Sequence, residues 1–321
     1  MAEYKGTHGT KIQNYTSDPA NPLQGEVWYN STSNSLKYFY VNSGAWATGG
    51  DMNTARKQLG GSGTNTAALA FGGTANKNET EQYNGTAWTE VNNLGTGRAL
   101  DVTLGLGTAT AALAVGGSTT PPFTVSALTE KWNGTNWTQV NVINTGRNSA
   151  GSAGTQTSAL IFGGEPATAI TESWNGTNWT EVADLNLARR EMLGSSGESN
   201  TAALVFGGNP APSGQTELWN GSSWTEVGDL NTNRENGGGS GTSTATLAFG
   251  GAFPTPKVET ELWNGTNWTE TGDLNTGRRS LGSSTGTGNT AALAFGGATP
   301  PAVAVTESWN AGPATATIGD S

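Results

Sequence analysis

The residues of this sequence that could do chemistry are glutamates and arginines, and both recur at a regular spacing. One glutamate stands in a Thr-Glu-x-aromatic segment that occurs six times, at Glu81, Glu130, Glu172, Glu217, Glu261 and Glu307. A second follows a tryptophan, at Glu90, Glu181, Glu226 and Glu270. An arginine comes before each repeat, at Arg56, Arg98, Arg147, Arg189, Arg234 and Arg278. Paired carboxylates could hydrolyse a glycosidic bond, and clustered guanidinium groups could bind an anion.

Repetition argues against both kinds of chemistry. A glycosidase needs one special pair of carboxyl groups, about 5 Å apart or about 6.5–9.5 Å apart. Here every repeat carries the same glutamates, so we expect them to be surface residues of outer strands. Each arginine is expected to hydrogen-bond the turn beside it and the adjoining repeat. The Ser-x-Asp-x-Gly-x-Thr-Trp box of sialidases is absent, and we do not predict an enzyme.

Composition narrows the remaining chemistry. The chain has no cysteine and one histidine, His8, which argues against thiolate or histidine-based metal sites and catalysts. The Gly-Thr-Gly segment at 286–288 lacks the lysine and the helix of a phosphate loop. The net charge of −10 disfavours a nucleic-acid partner, and no apolar run is long enough for membrane insertion. We therefore predict no cofactor, no metal, no nucleic acid and no membrane insertion.

Glycine and tryptophan indicate the fold class. Only 34% of the residues are apolar, yet 48 are glycine and 12 are tryptophan. A helical bundle would need alanine, leucine, glutamate and lysine instead, and a disordered chain would be poor in aromatic residues. Many short strands, glycine-containing turns and large aromatic anchors predict an all-β protein.

An internal repeat of roughly 45 residues predicts the architecture. A small, apolar strand ends in a double glycine six times, at Gly72-Gly73, Gly116-Gly117, Gly163-Gly164, Gly207-Gly208, Gly250-Gly251 and Gly296-Gly297. The Thr-Glu-x-aromatic strand and a second tryptophan strand follow, and a Gly- and Ser-rich strand follows the arginine. Four strands in such a unit make one propeller blade. We name them A (Gly/Ser-rich), B (ending in the double glycine), C (Thr-Glu-x-aromatic) and D (second tryptophan), and predict a six-bladed β-propeller.

The sixth blade lacks its own D strand. A matching segment, Gly44-Ala45-Trp46-Ala47-Thr48, stands near the N-terminus and is followed by the turn into Arg56. Pairing of this N-terminal strand with the C-terminal blade would close the ring and leave no free sheet edge. The alternative is an open solenoid of five blades and a fraction.

The double glycine, the aromatic residue of strand C, the tryptophan of strand D and the following arginine resemble the kelch motif. The resemblance covers residues 43–321, with Tyr83 in place of a tryptophan in the first blade. It implies a kelch-like propeller in which the B–C loops and D–A turns share the face that meets a partner. Candidate partner-binding residues in the variable B–C loops are Lys77, Phe123, Pro166, Pro212, Phe253, Lys257 and Pro301.

Residues 1–42 do not fit the repeat and form a separate arm. Residues 25–30 and 36–41 around a polar turn predict a β-hairpin, and residues 1–24 are expected to be extended. Residues 36–41 and 304–309 could each be the C strand of the sixth blade. The hairpin resembles a short element of tailed-phage virion proteins, especially fibres, and its candidate assembly anchors are Trp28, Tyr29, Tyr38 and Tyr40.

These resemblances imply a virion structural or adhesion protein of a tailed phage. The arm would bind other virion proteins of the tail, neck or capsid surface, and the B–C loops would bind a host surface glycan or protein. The alternative is a free-standing, carbohydrate- or protein-binding propeller of bacterial origin.

Overall fold

The computed structural model describes residues 12–20, 25–100, 105–120, 123–210, 214–286 and 288–318, with the backbone alone at 40–42 and 313–317. These residues form strands and turns and contain no helix. Accordingly, no helix in this part of the chain is long and apolar enough to cross a membrane. The prediction of an all-β protein is confirmed.

The chain divides into two compact units. Residues Ala45–Asn310 form the larger unit, which contains the repeats. Residues Met1–Gly44 and Ala311–Ser321 form the smaller one, which contains the arm. Two long strands, β3 (Ser35–Thr48) and β28 (Thr306–Thr317), contribute residues to both units.

Five sheets of four antiparallel strands repeat through the larger unit, each in the order A-B-C-D. Their strands are β4 (Gly60–Gly63), β5 (Ala68–Phe71), β6 (Thr80–Tyr83) and β7 (Trp88–Val91); β8 (Gly105–Thr108), β9 (Ala111–Val115), β12 (Thr129–Trp132) and β13 (Trp137–Val140); β14 (Gly151–Thr155), β15 (Ser158–Phe162), β16 (Thr171–Trp174) and β17 (Trp179–Val182); β18 (Gly194–Ser199), β19 (Ala202–Phe206), β20 (Thr216–Trp219) and β21 (Trp224–Val227); and β22 (Gly238–Gly241), β23 (Thr246–Phe249), β24 (Thr260–Trp263) and β25 (Trp268–Glu270). The B–C loop of the second sheet holds a small ribbon of β10 (Ser118–Thr119) and β11 (Thr124–Val125). The predicted four-stranded repeat is confirmed, and it is consistent with a propeller-like fold.

The last repeat receives its D strand from the N-terminal side. β26 (Gly282–Ser283) pairs with β27 (Ala291–Phe295), and β27 pairs with residues 306–310 of β28. β3 lies on the other side of β28, and Gly49 N donates to Thr306 O at 2.8 Å. Residues 306–310 are therefore the C strand, and residues 45–48 take the position of the D strand.

The A strands contact one another in a cycle. β4 contacts β8, the contacts continue through β14, β18, β22 and β26, and β26 contacts β4. Glycine is required where these strands meet. A Cβ on Gly61 would lie 2.3 Å from Ser283 O, and one on Gly105 would lie 2.5 Å from Gly61 O. The Gly/Ser-rich composition of strand A thus follows from the close approach of backbones.

A tryptophan hydrogen bond joins each sheet to the one before it. The indole N–H of every D-strand tryptophan donates to the first threonine of the preceding C strand, at 3.0–3.2 Å. The pairs are Trp46–Thr260, Trp88–Thr306, Trp137–Thr80, Trp179–Thr129, Trp224–Thr171 and Trp268–Thr216. The bond between Trp88 and Thr306 also connects the first sheet with the last.

Each C–D hairpin turns through four residues. In the fifth sheet, Trp263 pairs with Trp268, and the turn between them has a positive φ only at Gly265. Asn264 keeps an ordinary φ, and its Oδ1 accepts the N–H groups of Thr266 and Asn267. Only the glycine of this Asn-Gly pair therefore takes a positive φ, and the asparagine side chain stabilises the turn.

The smaller unit contains the predicted hairpin. β2 (Val27–Asn30) pairs antiparallel with β3, with Val27 opposite Tyr38 and Tyr29 opposite Leu36. A third strand, β1 (Gln13–Tyr15), pairs parallel with β2. Val27, Tyr29, Leu36 and Tyr38 share one face of this sheet because they are directly opposed residues at alternate positions.

Replacement of Trp46 tests the role of the N-terminal strand. Trp46 is 6% exposed and packs on Phe249 and Trp309, with ring centroids 4.8 and 5.6 Å away. Its counterpart Trp88 is 5% exposed and has the same type of contacts. We expect Trp46→Ala and Trp88→Ala to lower the free energy of unfolding by similar amounts, about 3–5 kcal/mol each. Urea denaturation measures both, with Thr48→Ala as the exposed control. A near-zero effect of Trp46→Ala beside a full effect of Trp88→Ala would show that residues 45–48 are dispensable.

Candidate functional site

A buried arginine–glutamate pair lies at one end of every repeated sheet. The shortest N–O distance is 2.8 Å for Arg56–Glu81 and for Arg234–Glu261, and 3.0 Å for Arg278–Glu307. The other pairs are Arg98–Glu130, Arg147–Glu172 and Arg189–Glu217. All twelve side chains are at most 4% exposed.

The second carboxylate oxygen of each glutamate holds the turn that leads into the sheet. Glu261 Oε2 accepts the backbone N–H of Asn231 at 2.7 Å and its side-chain amide at 2.9 Å. The same amide also donates to Trp268 O. The other five glutamates accept a turn N–H in the same way. One carboxylate therefore ties the D–A turn to the guanidinium group below it.

The guanidinium group closes the base of the B–C loop. Arg234 Nη1 donates to Gly250 O at 2.9 Å and to Glu259 O at 2.6 Å, which are the carbonyls on either side of that loop. The Nε–H groups of Arg56, Arg147, Arg189, Arg234 and Arg278 have no partner among the described residues. Burial lowers the pKa of Arg189 from its ordinary value, and the neighbouring Glu217 only partly offsets that effect.

The glutamates divide into two sets that the sequence did not distinguish. The expectation that all of them are surface residues is wrong for the six on strand C, which are buried against arginines. It is confirmed for Glu90, Glu181, Glu226 and Glu270 on strand D, which are exposed. Glu217 and Glu226 face each other across one strand pair, but the same pairing recurs in other sheets. The arginines bind carboxylate and loop carbonyls. The predicted contact with the turn is direct for Arg98, which donates to Thr96 O at 2.9 Å, and runs through the glutamate for the other five.

The B–C loops emerge above these pairs, beside the D–A turns. Isolated bridges connect them, for example Asn148 with Glu165 and Glu235 with Ala252. Phe123 is 60% exposed and Phe253 is 55% exposed, which is unusual for phenylalanine. Pro166 and Pro301 are also exposed.

The two predicted loop lysines are less exposed than the phenylalanines and are paired with glutamates. The ammonium group of Lys77 lies 2.7 Å from Glu79, and that of Lys257 lies 3.4 Å from Glu259. Both lysines are half-buried, and their charge is partly neutralised within the loop. Pro212 lies outside the described residues.

Sequence reasoning missed a set of polar residues beside the loops. Five non-glycine residues have a φ between 51° and 55° and stand two positions after the repeated arginines: Gln58, Ser149, Glu191, Asn236 and Ser280. Their backbones are linked in series; Ser280 N donates to Asn236 O at 2.7 Å, and Gln58 N donates to Ser280 O at 2.9 Å. The sequence does mark this position: its side chain differs between repeats, whereas the arginine two residues before it is always present.

The arm residues separate into a buried and a half-buried set. Trp28 is fully buried and its indole N–H donates to Asp18 Oδ1 at 3.1 Å. Asn30 and Lys37 also bind Asp18, and these hydrogen bonds lower the pKa of its carboxyl group. Tyr29 and Tyr38 are half-buried on the opposite face, and the side chain of Tyr40 lies outside the described residues.

Comparisons with known proteins do not assign the chain to a family. No family model matches it, and no curated protein was found to match it. Within the described residues, no group of three or more His, Cys, Asp or Glu side chains could hold a metal ion.

The two sets of glutamates should respond differently to substitution. Glu217→Gln leaves Arg189 buried without its counter-charge, so we expect the free energy of unfolding to fall by about 3–5 kcal/mol. Glu226→Gln, on the neighbouring strand but exposed, should change it by no more than about 0.5 kcal/mol. Urea denaturation at neutral pH compares the two variants. Equal effects would contradict the structural role assigned to the buried pair.

Proposed function

We propose that this chain is a non-enzymatic structural or adhesion protein of a tailed-phage virion, with a six-bladed kelch-like propeller that presents binding loops and an arm that attaches it. The carrying observation is the buried arginine–glutamate pair under every B–C loop. It holds loops of unrelated sequence on one repeated framework. Such an arrangement suits recognition, because a pre-ordered loop loses less entropy on binding.

Three contacts between the first and last sheets support the six-bladed closure. β26 contacts β4, Trp88 donates to Thr306 at 3.0 Å, and Gln58 N donates to Ser280 O at 2.9 Å. Each repeats a contact found between consecutive sheets elsewhere. An open solenoid would leave these groups of its terminal repeats without partners.

A binding role is favoured over catalysis by the state of the carboxylates. Each strand C glutamate is engaged by an arginine and by a turn N–H, and the strand D glutamates are exposed. A general acid needs a carboxyl group aimed at a substrate in an enclosed site. There are six equivalent pairs, and each binds its own D–A turn. This repetition favours a structural role for these residues.

The loop end is the proposed surface for a host glycan or protein. Phe123 and Phe253 are the large apolar side chains exposed on described B–C loops. Aromatic groups of this kind are common anchors in interfaces and stack on sugar rings. Asn236, next to the Glu235–Ala252 bridge, adds a hydrogen-bonding group at the base of the Phe253 loop.

Attachment to the virion is proposed to use the half-buried face of the arm, with Val27, Tyr29, Leu36 and Tyr38. The support is the resemblance of this hairpin to elements of virion proteins, together with its apolar stripe. A small sheet is marginally stable by itself, so a neighbouring virion protein would stabilise it.

A free-standing binding propeller of bacterial origin is the second candidate. It is favoured by the larger unit, Ala45–Asn310, which contains all six tryptophan bonds and all six arginine–glutamate pairs within itself. The arm would then be accessory, and the loops would act without a particle.

Mass spectrometry of purified virions separates the two candidates. We expect the chain among the proteins of particles purified from a lysate in which its gene is expressed, at a constant ratio to the major capsid protein. Presence of the chain in the lysate together with its absence from the particles would favour the free-standing protein.

Paired variants then test which part attaches. Tyr29→Ala/Tyr38→Ala should reduce incorporation into particles by about tenfold or more, since it removes two apolar contacts without touching the buried Trp28. Phe123→Ala/Phe253→Ala is the matched control; it should leave incorporation unchanged and reduce adsorption to host cells. Equal incorporation of both variants would show that the arm is not the anchor.

A further inference from the structure

The six A–B turns surround a cavity of about 260 Å³. Two residues from each turn line it, and the first of each two lies at or near the end of strand A: Gly63, Gly107, Gly154, Gly197, Gly241 and Thr285. In each sheet the A–B turn lies at the opposite end of strand B from the B–C loop. The cavity is therefore distinct from the proposed loop surface.

A threonine lines both this cavity and a smaller neighbouring void. Five of the six equivalent positions are glycine and the sixth is Thr285. Its hydroxyl donates to Gly107 O at 2.8 Å, with Gly63 O 3.2 Å away. This second void, of only about 20 Å³, is lined mainly by serines and glycines and also by Thr285. Gly154 and Gly197 also line both voids, and the larger cavity is called the cup.

The walls of the cup offer few free hydrogen-bonding groups. Five turns place a threonine in it: the hydroxyl of Thr285 binds the two glycine carbonyls, and those of the other four threonines are used inside their own turns. Thr64, Thr108 and Thr242 accept the N–H groups of alanines three positions ahead at 3.0–3.2 Å. Glycine contributes no side chain. The wall is therefore formed largely by Cα and threonine carbon atoms.

One carboxylate interrupts this pattern. In the fourth sheet the register shifts between Gly197 and Ser199, and the extra residue in this turn is Glu198. Glu198 lines the cavity and is exposed. Its nearest partners are Ser243 N at 3.4 Å and Ser243 Oγ at 3.5 Å, and it forms no ion pair with a described residue. Among the described residues, Glu198 is the only charged group in the cup's lining.

We propose that the cup binds a small organic ammonium ion, whose alkyl groups contact the glycine and threonine wall and whose charge faces Glu198. The volume is below the roughly 300–1,000 Å³ of sites for drug-sized ligands, so the ligand must be small. A calcium or magnesium ion would need about six oxygen ligands. The lining offers one carboxylate, and its threonine hydroxyls are already engaged in hydrogen bonds. A sugar would need several free donors and acceptors. The net charge of −10 further favours a cation.

Titration of the full-length protein with choline, followed by NMR and calorimetry, tests the proposal. The neutral isostere 3,3-dimethylbutan-1-ol is the ligand control, because it has the same shape without the charge. We expect saturable binding of choline with a Kd on the order of 1 mM. The shifted signals should be those of the glycines at the ends of the A strands, and the neutral isostere should bind at least about fivefold more weakly. A parallel titration with n-butylammonium, which mimics a lysine side chain, shows whether a quaternary or a primary ammonium is preferred.

Glu198→Gln should weaken choline binding by about fivefold or more, while Glu90→Gln, an exposed glutamate on strand D, should leave it unchanged. Thr108→Tyr, which places a ring at the rim of the cup, should abolish it in a protein whose other NMR signals are unaltered. Absence of saturable binding by both ammonium ions would overturn the proposal. So would equal binding of choline to the Glu198→Gln variant, or shifts confined to the B–C loops.

Discussion

The buried arginine–glutamate pair is the interaction on which the repeated framework depends. Each pair joins pieces of backbone that are distant in sequence: the D–A turn, strand C and the base of the B–C loop. The guanidinium group binds carbonyls on both sides of that loop in four sheets, and on one side at Arg98 and Arg147. Removing two charges from water is costly, and a buried pair contributes little net stability when compared with apolar residues of the same size. Its contribution here is positional. Because a guanidinium group has donors in fixed directions, the loop can begin and end only where its carbonyls meet them.

The tryptophans supply the apolar contacts between neighbouring sheets, which the charged pairs do not provide. Each D-strand indole covers the ring of the C-strand aromatic residue in its own sheet and, in five of the six sheets, the phenylalanine of the preceding one. In the remaining sheet the partner of Trp179 would be Val115, which has no ring. The indole N–H is still satisfied there, by Thr129 at 3.2 Å. Apolar burial and one hydrogen bond are thus combined in a single side chain, which suits a fold whose A strands carry almost no apolar side chains.

The two ends of the larger unit differ in how much they vary. At the B–C end, loops of different length and sequence rise from six nearly identical bases, and two of them expose a phenylalanine. At the A–B end, the turns are alike except in the fourth and sixth sheets, where Glu198 and Thr285 depart from the pattern. Thr285 binds backbone carbonyls of two other A strands, whereas the carboxylate of Glu198 has only Ser243 near it, at 3.4–3.5 Å. Both ends therefore carry candidate recognition sites, on loops at one and on a cup at the other.

The sequence alone determined the all-β class, the four-stranded repeat and the strand near Trp46 that completes the last one. These follow from periodic glycines and tryptophans, whose steric and packing requirements are local and recur in each unit. Only the tertiary structure decided that Glu81 and its equivalents are buried, because alternation along a strand does not tell which face meets an arginine from the preceding turn. The same holds for Trp28, which is buried with its indole N–H bonded to Asp18, and for the polar residues such as Asn236 beside the loops. The cup with Glu198 was also beyond the sequence, since it exists only where six turns from distant parts of the chain come together around one space.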